Sequence, residues 1–201
     1  MVADLRPGAA APASVSTGRY TSPMRFGYYD RLSAARKAIY RKSDDIGAIG
    51  LPPGAAVATD VARMRRALAA EDRASVQAAC QRLVDTLVAG YRVPPIRVRV
   101  LARRPSDDYG ELHGLYEPEE GRTAARITVW MRTAKKQQVV AFKSFLRTLV
   151  HEVAHHLDYE LYLLEETFHT EGFYKRESSL ANALLAAEAA SAATPQNGGA
   201  A

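Results

Sequence analysis

The sequence is short of the residues that build covalent or thiolate-based structure. Its 201 residues include one cysteine, Cys80. A lone cysteine cannot form a disulfide framework, and it cannot supply the several thiolates of a structural zinc site. A chain of this length can nevertheless bury a hydrophobic core without such crosslinks. We therefore expect one domain held together by packing, in an intracellular setting.

Long apolar runs are also lacking. The first twenty residues contain no hydrophobic stretch behind a basic start, and no later segment reaches the roughly 20 apolar residues of a membrane span. These features predict a cytoplasmic protein that does not enter a membrane. The formal net charge is +5, but arginine and lysine are spread along the chain. The charge indicates a solvated surface and only a weak preference for DNA as a partner.

Composition divides the chain into a central domain and two polar ends. Residues 1–27 and 189–201 are rich in small and polar residues with little apolar periodicity, which predicts disorder at both ends. Residues 28–188 are predicted to form a single domain. Within it, residues 28–93 have a helical pattern and form a support region, and residues 94–188 form the core that carries the chemistry.

Hydrophobic spacing predicts an α+β fold, in which a small twisted sheet packs on one long helix beside N-terminal supporting helices. Apolar residues recur every three or four positions in the helical segments and alternate with polar residues in the strands. Asp72 is predicted near a turn between two helices, and the EPEEG segment near a hairpin turn. The predicted helices cover residues 29–45, two segments within 61–91, 137–163 and 172–188; the predicted strands cover 96–100, 112–116 and 126–131.

Histidine is scarce but clustered. Four of the five histidines fall between residues 151 and 169, and His151, Glu152 and His155 form the pattern HExxH inside the long predicted helix. Histidines four residues apart share one side of a helix and can offer two neutral nitrogens to one metal ion. The glutamate between them can take a proton from a water that the metal activates. We therefore predict Zn²⁺ as cofactor, with His151 and His155 as ligands and Glu152 as the general base.

A catalytic zinc ion needs a third protein ligand and one open position. His169 is the favoured candidate, although along an unbroken helix it would lie about 21 Å beyond His155. We therefore expect the helix to end near Leu163 and the chain to return in an extended segment that brings His169 to the metal. Glu171 is the alternative third ligand, if the segment after the break starts a helix that packs beside the site.

Other polar residues near the motif each have two interpretations. His156 points about 100° away from His155, which favours a packing role in the core. Asp158 lies on the same side of the predicted helix as His151 and His155. It is either an acceptor for the free N–H of a ligand histidine or an exposed charge. Tyr174, Arg176 and His113 could each stabilise the oxyanion of a reaction intermediate, but residues of these types are more often surface or packing residues.

The HEVAHH segment, followed by FHTEGFYKRESSL and preceded by a strand pair with a turn, resembles the SprT-like zinc metallopeptidases over roughly residues 96–185. The resemblance implies a compact zincin fold and peptide-bond hydrolysis. It also implies that His151, His155 and His169 are the zinc ligands and that Glu152 is the catalytic acid and base. Some members of that group act on proteins bound or crosslinked to DNA. This chain has no cysteine-based zinc ribbon and no recognisable DNA-binding appendix.

Two functional hypotheses follow from these patterns. The first is a zinc metallopeptidase acting on a protein or peptide, which in zincins lies extended along an edge strand. Residues 126–131 (RITVWM) are the candidate for that edge, although Ile127 and Trp130 are equally explained as core residues. The second is a non-catalytic metal-binding protein that uses its basic N-terminal helical region to bind nucleic acid or a partner.

Overall fold

The computed structural model describes residues 26–107 and 110–193 and shows a mixed α+β architecture. Most of the predicted disorder, in residues 1–25 and 194–201, therefore lies outside the described residues. The helices of the described part are α1 (Ala34–Asp45), α2 (Ala58–Ala69), α3 (Arg73–Tyr91), α4 (Phe142–Glu160) and α5 (Glu171–Ala193), and a 3₁₀ turn covers Tyr29–Arg31. The strands are β1 (Arg97–Arg103), β2 (Ser106–Asp107), β3 (Gly110–Glu111), β4 (Gly114–Glu117) and β5 (Arg126–Arg132).

Three strands form the sheet next to the HExxH helix, in the order β1-β5-β4. β5 pairs with β1 in parallel and with β4 antiparallel, while β2 and β3 form a separate two-stranded ladder. The prediction that residues 126–131 form an edge strand was therefore wrong. Ile127 to Met131 are all buried, as expected of a central strand that is covered on both faces.

The outer edge of β1 is closed by two glutamines of α3. The Gln81 side chain accepts from Val98 N (2.8 Å) and donates to Ile96 O (2.9 Å). Gln77 accepts from Val100 N (2.7 Å) and donates to Val98 O (2.5 Å). These bonds satisfy backbone groups that would otherwise be available to another strand. In the described part of this sheet, β4 is therefore the edge that remains open.

The support region consists of α1, α2 and α3, close to the predicted positions. Ser33 caps α1 by accepting from Arg36 N (3.3 Å), so the helix starts later than the predicted residue 29. Asp72 caps α3, as its predicted position in the turn allows. α2 packs against α3 and α5, and α3 packs along β1. None of the helices among the described residues is long and apolar enough to cross a membrane.

α4 has one buried and one chemically active side. Its apolar stripe is buried as predicted, at Leu146, Leu149, Val153 and Leu157. The helix packs against β4, β5 and α5. α5 continues to Ala193, although the sequence predicted a disordered tail from residue 189; its alanine-rich end has a high helix propensity.

Candidate metal centre

Three histidine side chains converge on one point beside β4. Nε2 of His169 lies 3.0 Å from Nε2 of His151 and 3.2 Å from Nε2 of His155, and the latter two atoms are 3.2 Å apart. Nitrogens bound to one tetrahedral zinc ion at about 2.0–2.1 Å lie about 3.3 Å from one another. Three imidazoles at this spacing fit a zinc ion in both donor type and size. Among the described residues, this trio is the group of histidine, cysteine or acidic side chains close enough to hold a metal.

The break after α4 brings the third histidine into place. α4 ends at Glu160, and Leu163 adopts a left-handed backbone with φ of 51°. Leu164 N then donates to Asp158 O (2.9 Å), and the buried side chains of Leu164 and Phe168 anchor the returning segment. α4 is shorter at both ends than the predicted 137–163, but the predicted break and return of the chain before His169 are confirmed. No glycine is needed there, because the exposed Leu163 itself takes the left-handed conformation.

Glu177 of α5 orients the first histidine. Nδ1 of His151 donates to Glu177 Oε2 (2.9 Å), and the Arg147 guanidinium donates to Oε1 (3.0 Å). Burial raises the pKa of the Glu177 carboxyl, but the hydrogen bonds from His151 and Arg147 outweigh burial and hold this pKa below its ordinary value. A proton fixed on Nδ1 leaves the Nε2 lone pair of His151 free for a metal.

Thr167 orients the second histidine. Its hydroxyl donates to Asp158 Oδ2 (2.9 Å), so its oxygen is free to accept from Nδ1 of His155 (2.8 Å). Asp158 is fully buried and pairs with Arg176 (2.8 Å). Neither interpretation of Asp158 agrees with the structure: Thr167 stands between Asp158 and the ligand histidine, and the carboxylate is buried, not exposed. Neither Thr167 nor Glu177 was predicted from the sequence as a residue of the site.

Of the two interpretations of Arg176, the packing role agrees with the structure and the oxyanion role does not. Its guanidinium is 2% exposed and faces away from the clefts into the junction with α1. There it donates to Asp158, to Ser43 O (2.8 Å) and to Ile46 O (2.5 Å). With both terminal nitrogens of the guanidinium committed to these partners, Arg176 supports the buried side of the site and does not reach a substrate.

Burial favours the neutral form of His155 and of His169. The pKa of His155 is lowered to about 3, mainly by burial and in smaller part by positive charge on His151 and His169. Burial is also the main cause of the lowered pKa of His169. A neutral imidazole is the form that binds a metal, so the electrostatics of the site favour coordination over protonation.

Glu152 lies between the histidines and β4. Its carboxyl is 5% exposed and accepts from the backbone N–H of Tyr116. Burial raises the pKa of Glu152 to about 7, with Glu177 adding to the rise and His151 opposing it. A Cβ atom at Gly114 would lie 2.8 Å from Cδ and 2.9 Å from Cγ of Glu152. Gly114 therefore makes the space that this carboxyl occupies.

His156 is a packing residue, as predicted. It is buried, and its Nε2–H donates to Pro94 O (2.9 Å). Its Nδ1 is then free to accept from the Tyr116 hydroxyl (3.2 Å). The doubled histidine of HEVAHH thus supplies one ligand and one core residue that fixes a tyrosine beside the site.

The remaining candidates lie around the cluster. The Tyr174 ring stacks on His169 with centroids 5.8 Å apart, and Tyr174 is 38% exposed. His113 is exposed in a cleft beside Arg147. Glu171, the alternative third ligand, lies at the exposed start of α5 and pairs with Lys175 (2.7 Å). The structure therefore brings His169, and not Glu171, to the histidine pair.

Two clefts flank the histidine cluster along β4. We name the first, of about 370 Å³, the Arg147 cleft; it shares His151 and Glu152 with the centre and is otherwise lined by Leu112, His113, Gly114, Arg147, Thr148 and Glu177. We name the second, of about 290 Å³, the tyrosine cleft; it contains the three histidines and Glu152, beside Tyr116, Pro118, Tyr159 and Thr167. An elongated ligand can occupy both clefts while crossing the centre.

Comparisons with protein-family models, with curated proteins and with solved structures found no significant match to this chain. The case for its function therefore rests on the geometry of the histidine cluster, of Glu152 and of the clefts.

Proposed function

We propose that this chain is a zinc-dependent peptidase of the zincin type, similar to the SprT-like metallopeptidases. One observation carries the proposal: three histidine Nε2 atoms lie 3.0–3.2 Å from one another, next to a buried carboxyl of raised pKa and an open strand edge. Metal ligands, a proton carrier and a surface for an extended peptide are the components that such hydrolysis requires. The single, buried Cys80 is compatible with a cytoplasmic location.

His151, His155 and His169 would hold the zinc ion. Bound zinc would act as a Lewis acid that polarises the scissile carbonyl and makes a water molecule more acidic. Glu152 takes a proton from the attacking water and passes it to the leaving amine. A carboxyl with a pKa of about 7 can perform both transfers near neutral pH. The Tyr116 N–H holds this carboxyl beside β4 before a substrate binds.

The open edge of β4 is the surface on which we place the substrate backbone. One side of β4 pairs with β5, and the other side faces the clefts. An extended peptide can add to such an edge as a further strand and so cross the histidine cluster. This assignment replaces residues 126–131, which are central in the sheet. The substrate is then a protein segment or peptide in extended form.

The proposal is tested by measuring zinc content together with cleavage of casein and of a peptide library, with and without DNA. Wild type should bind zinc and cleave. Glu152→Gln should bind zinc equally but lose activity by about 10²- to 10⁴-fold, because it cannot carry the proton. His169→Ala should lose zinc, whereas the matched control Glu171→Ala should retain it.

The alternative of a non-catalytic metal-binding protein makes the opposite prediction for Glu152. If wild type and Glu152→Gln bind zinc alike and neither cleaves any of these substrates, the peptidase proposal fails and the non-catalytic alternative gains.

A further inference from the structure

β4 and α4 run in the same direction past the histidine cluster. The Arg147 cleft uses the early part of α4, at Thr148, and the chain at the start of β4, at His113 and Gly114. The tyrosine cleft uses their later parts, at Tyr116 and Tyr159. Along the common direction of β4 and α4, the Arg147 cleft therefore lies before the metal centre and the tyrosine cleft lies after it. A peptide on the open edge of β4 has one cleft on each side of its scissile bond.

The pairing of strands sets the direction of this peptide. Antiparallel pairing is the slightly more stable arrangement, and an antiparallel peptide on β4 runs from the tyrosine cleft to the Arg147 cleft. Glu152 lines both clefts and can reach a leaving amine on the side of the Arg147 cleft. Antiparallel pairing therefore places the residues before the scissile bond in the tyrosine cleft.

The wall of the tyrosine cleft is aromatic and fixed. The rings of Tyr116 and Tyr159 stack with centroids 5.9 Å apart and an interplanar angle of 23°. Tyr116 also stacks on His155 at 6.2 Å, and its hydroxyl is held by the buried His156. Since stacked and edge-on ring contacts are favourable, such a wall discriminates in favour of an aromatic side chain.

The Arg147 cleft provides no comparable wall. Its lining includes Leu112 and several polar side chains but no Phe, Tyr or Trp, and Glu177 is already bonded to Arg147 and His151. Selection of aromatic side chains therefore belongs to one side of the centre.

We infer that the site selects an aromatic side chain at one of the two positions immediately before the scissile bond, with Tyr116 and Tyr159 as the specificity-determining residues. The inference rests on the proposed peptidase function. It narrows the substrate class from extended peptides in general to peptides that place Phe, Tyr or Trp in the tyrosine cleft.

The cleavage test uses the full chain, loaded with zinc, on a mixed peptide library, and mass spectrometry identifies the bonds that are cut. Aromatic residues should be enriched about tenfold over serine before the cut. Tyr159→Ala should remove most of that enrichment, and Tyr159→Phe, which keeps the ring, should preserve it. Both variants should bind zinc like wild type, since Tyr159 is not a ligand. No aromatic preference before the cut, or a preference that survives in Tyr159→Ala, overturns the inference.

A binding test separates this inference from hydrolysis itself. Zinc-loaded Glu152→Gln is titrated with two fluorescent peptides that differ only in Phe or Ser before the intended scissile bond. The Phe peptide should bind about tenfold more tightly, and adding Tyr159→Ala should abolish the difference. If wild type cleaves nothing but this difference is found, the peptidase function fails while the aromatic subsite stands. Equal or unmeasurable affinities for the two peptides overturn the subsite.

Discussion

At Gly114 the absence of a side chain controls the position of Glu152. Because an added Cβ would overlap the carboxyl, we expect Gly114→Ala to displace the Glu152 side chain and to lower kcat/KM for peptide cleavage by about 10²-fold. Zinc content should not change, since the substitution touches none of the histidines. Gly47→Ala is the matched control, because a Cβ there meets nothing within 4 Å. Full activity in Gly114→Ala would show that the carboxyl position is not critical.

Thr167 is expected to set the affinity for zinc through a single hydroxyl. Thr167→Val keeps the shape of the side chain but removes the acceptor for His155 Nδ1–H and the donor to Asp158. Zinc affinity should fall by about 10- to 100-fold, measured by competition with a chromophoric chelator. Thr167→Ser retains the hydroxyl and should bind zinc within a few-fold of wild type. Equal affinities of the Val and Ser variants would contradict the proposed role.

Among single residues, the sequence could predict the members of the HExxH motif but not the side chains that orient them. His151, Glu152 and His155 lie within one helix, so their spacing alone brings them together. Thr167 and Glu177 meet these histidines only because the chain turns after α4 and α5 packs back on it. Gly114 carried a usable signal, since a glycine inside a strand pattern often marks a close backbone approach.

The end of α4 is the element on which the third ligand depends. Leu163 is 73% exposed and has a positive φ, a conformation that is unfavourable for residues other than glycine. We expect Leu163→Gly to raise the free energy of unfolding by about 0.5–1 kcal/mol. Glycine relieves the backbone strain, and its greater conformational entropy in the unfolded chain offsets part of that gain.

Urea denaturation of zinc-free protein measures this effect, and Leu163→Val is the control. A β-branched residue tolerates positive φ poorly, so the Val variant should be less stable than wild type. The opposite order of the Gly and Val variants would show that the observed backbone turn does not terminate α4.

The strand order shows where element-scale prediction failed. RITVWM was recognised as a strand, but its nearly continuous apolar run was assigned to an edge when it is typical of a central strand. Its parallel partner, β1, precedes it by more than twenty residues, and no local pattern reveals that pairing. Closure of the β1 edge by Gln77 and Gln81 was equally hidden, because two polar residues four positions apart on a helix look like a solvated face.

Across the whole molecule, the N-terminal support region is bonded to the metal centre. Arg176 donates both to Asp158, the partner of Thr167, and to carbonyl groups at the end of α1. Gly172 packs against the same end of α1, where a Cβ would lie 2.5 Å from Ser43 O. Metal ligation and the docking of α1 therefore share one buried hydrogen-bond network. This coupling leads us to expect that the metal stabilises the domain as a unit and not only the loop around it.

Removal of the metal should therefore lower the melting temperature of the entire domain. Without a cation, three neutral Nε2 atoms within 3.2 Å would place their lone pairs against one another. Free zinc at 1,000 times its Kd adds about 4 kcal/mol to the free energy of unfolding. For a domain of this size that corresponds to a fall in Tm of about 10 °C on chelation. Calorimetry should show one transition that shifts in wild type and in Glu171→Ala but not in His169→Ala. An unshifted wild-type transition would mean that the three histidines do not bind zinc, and a transition that splits would mean that the metal stabilises only its own loop.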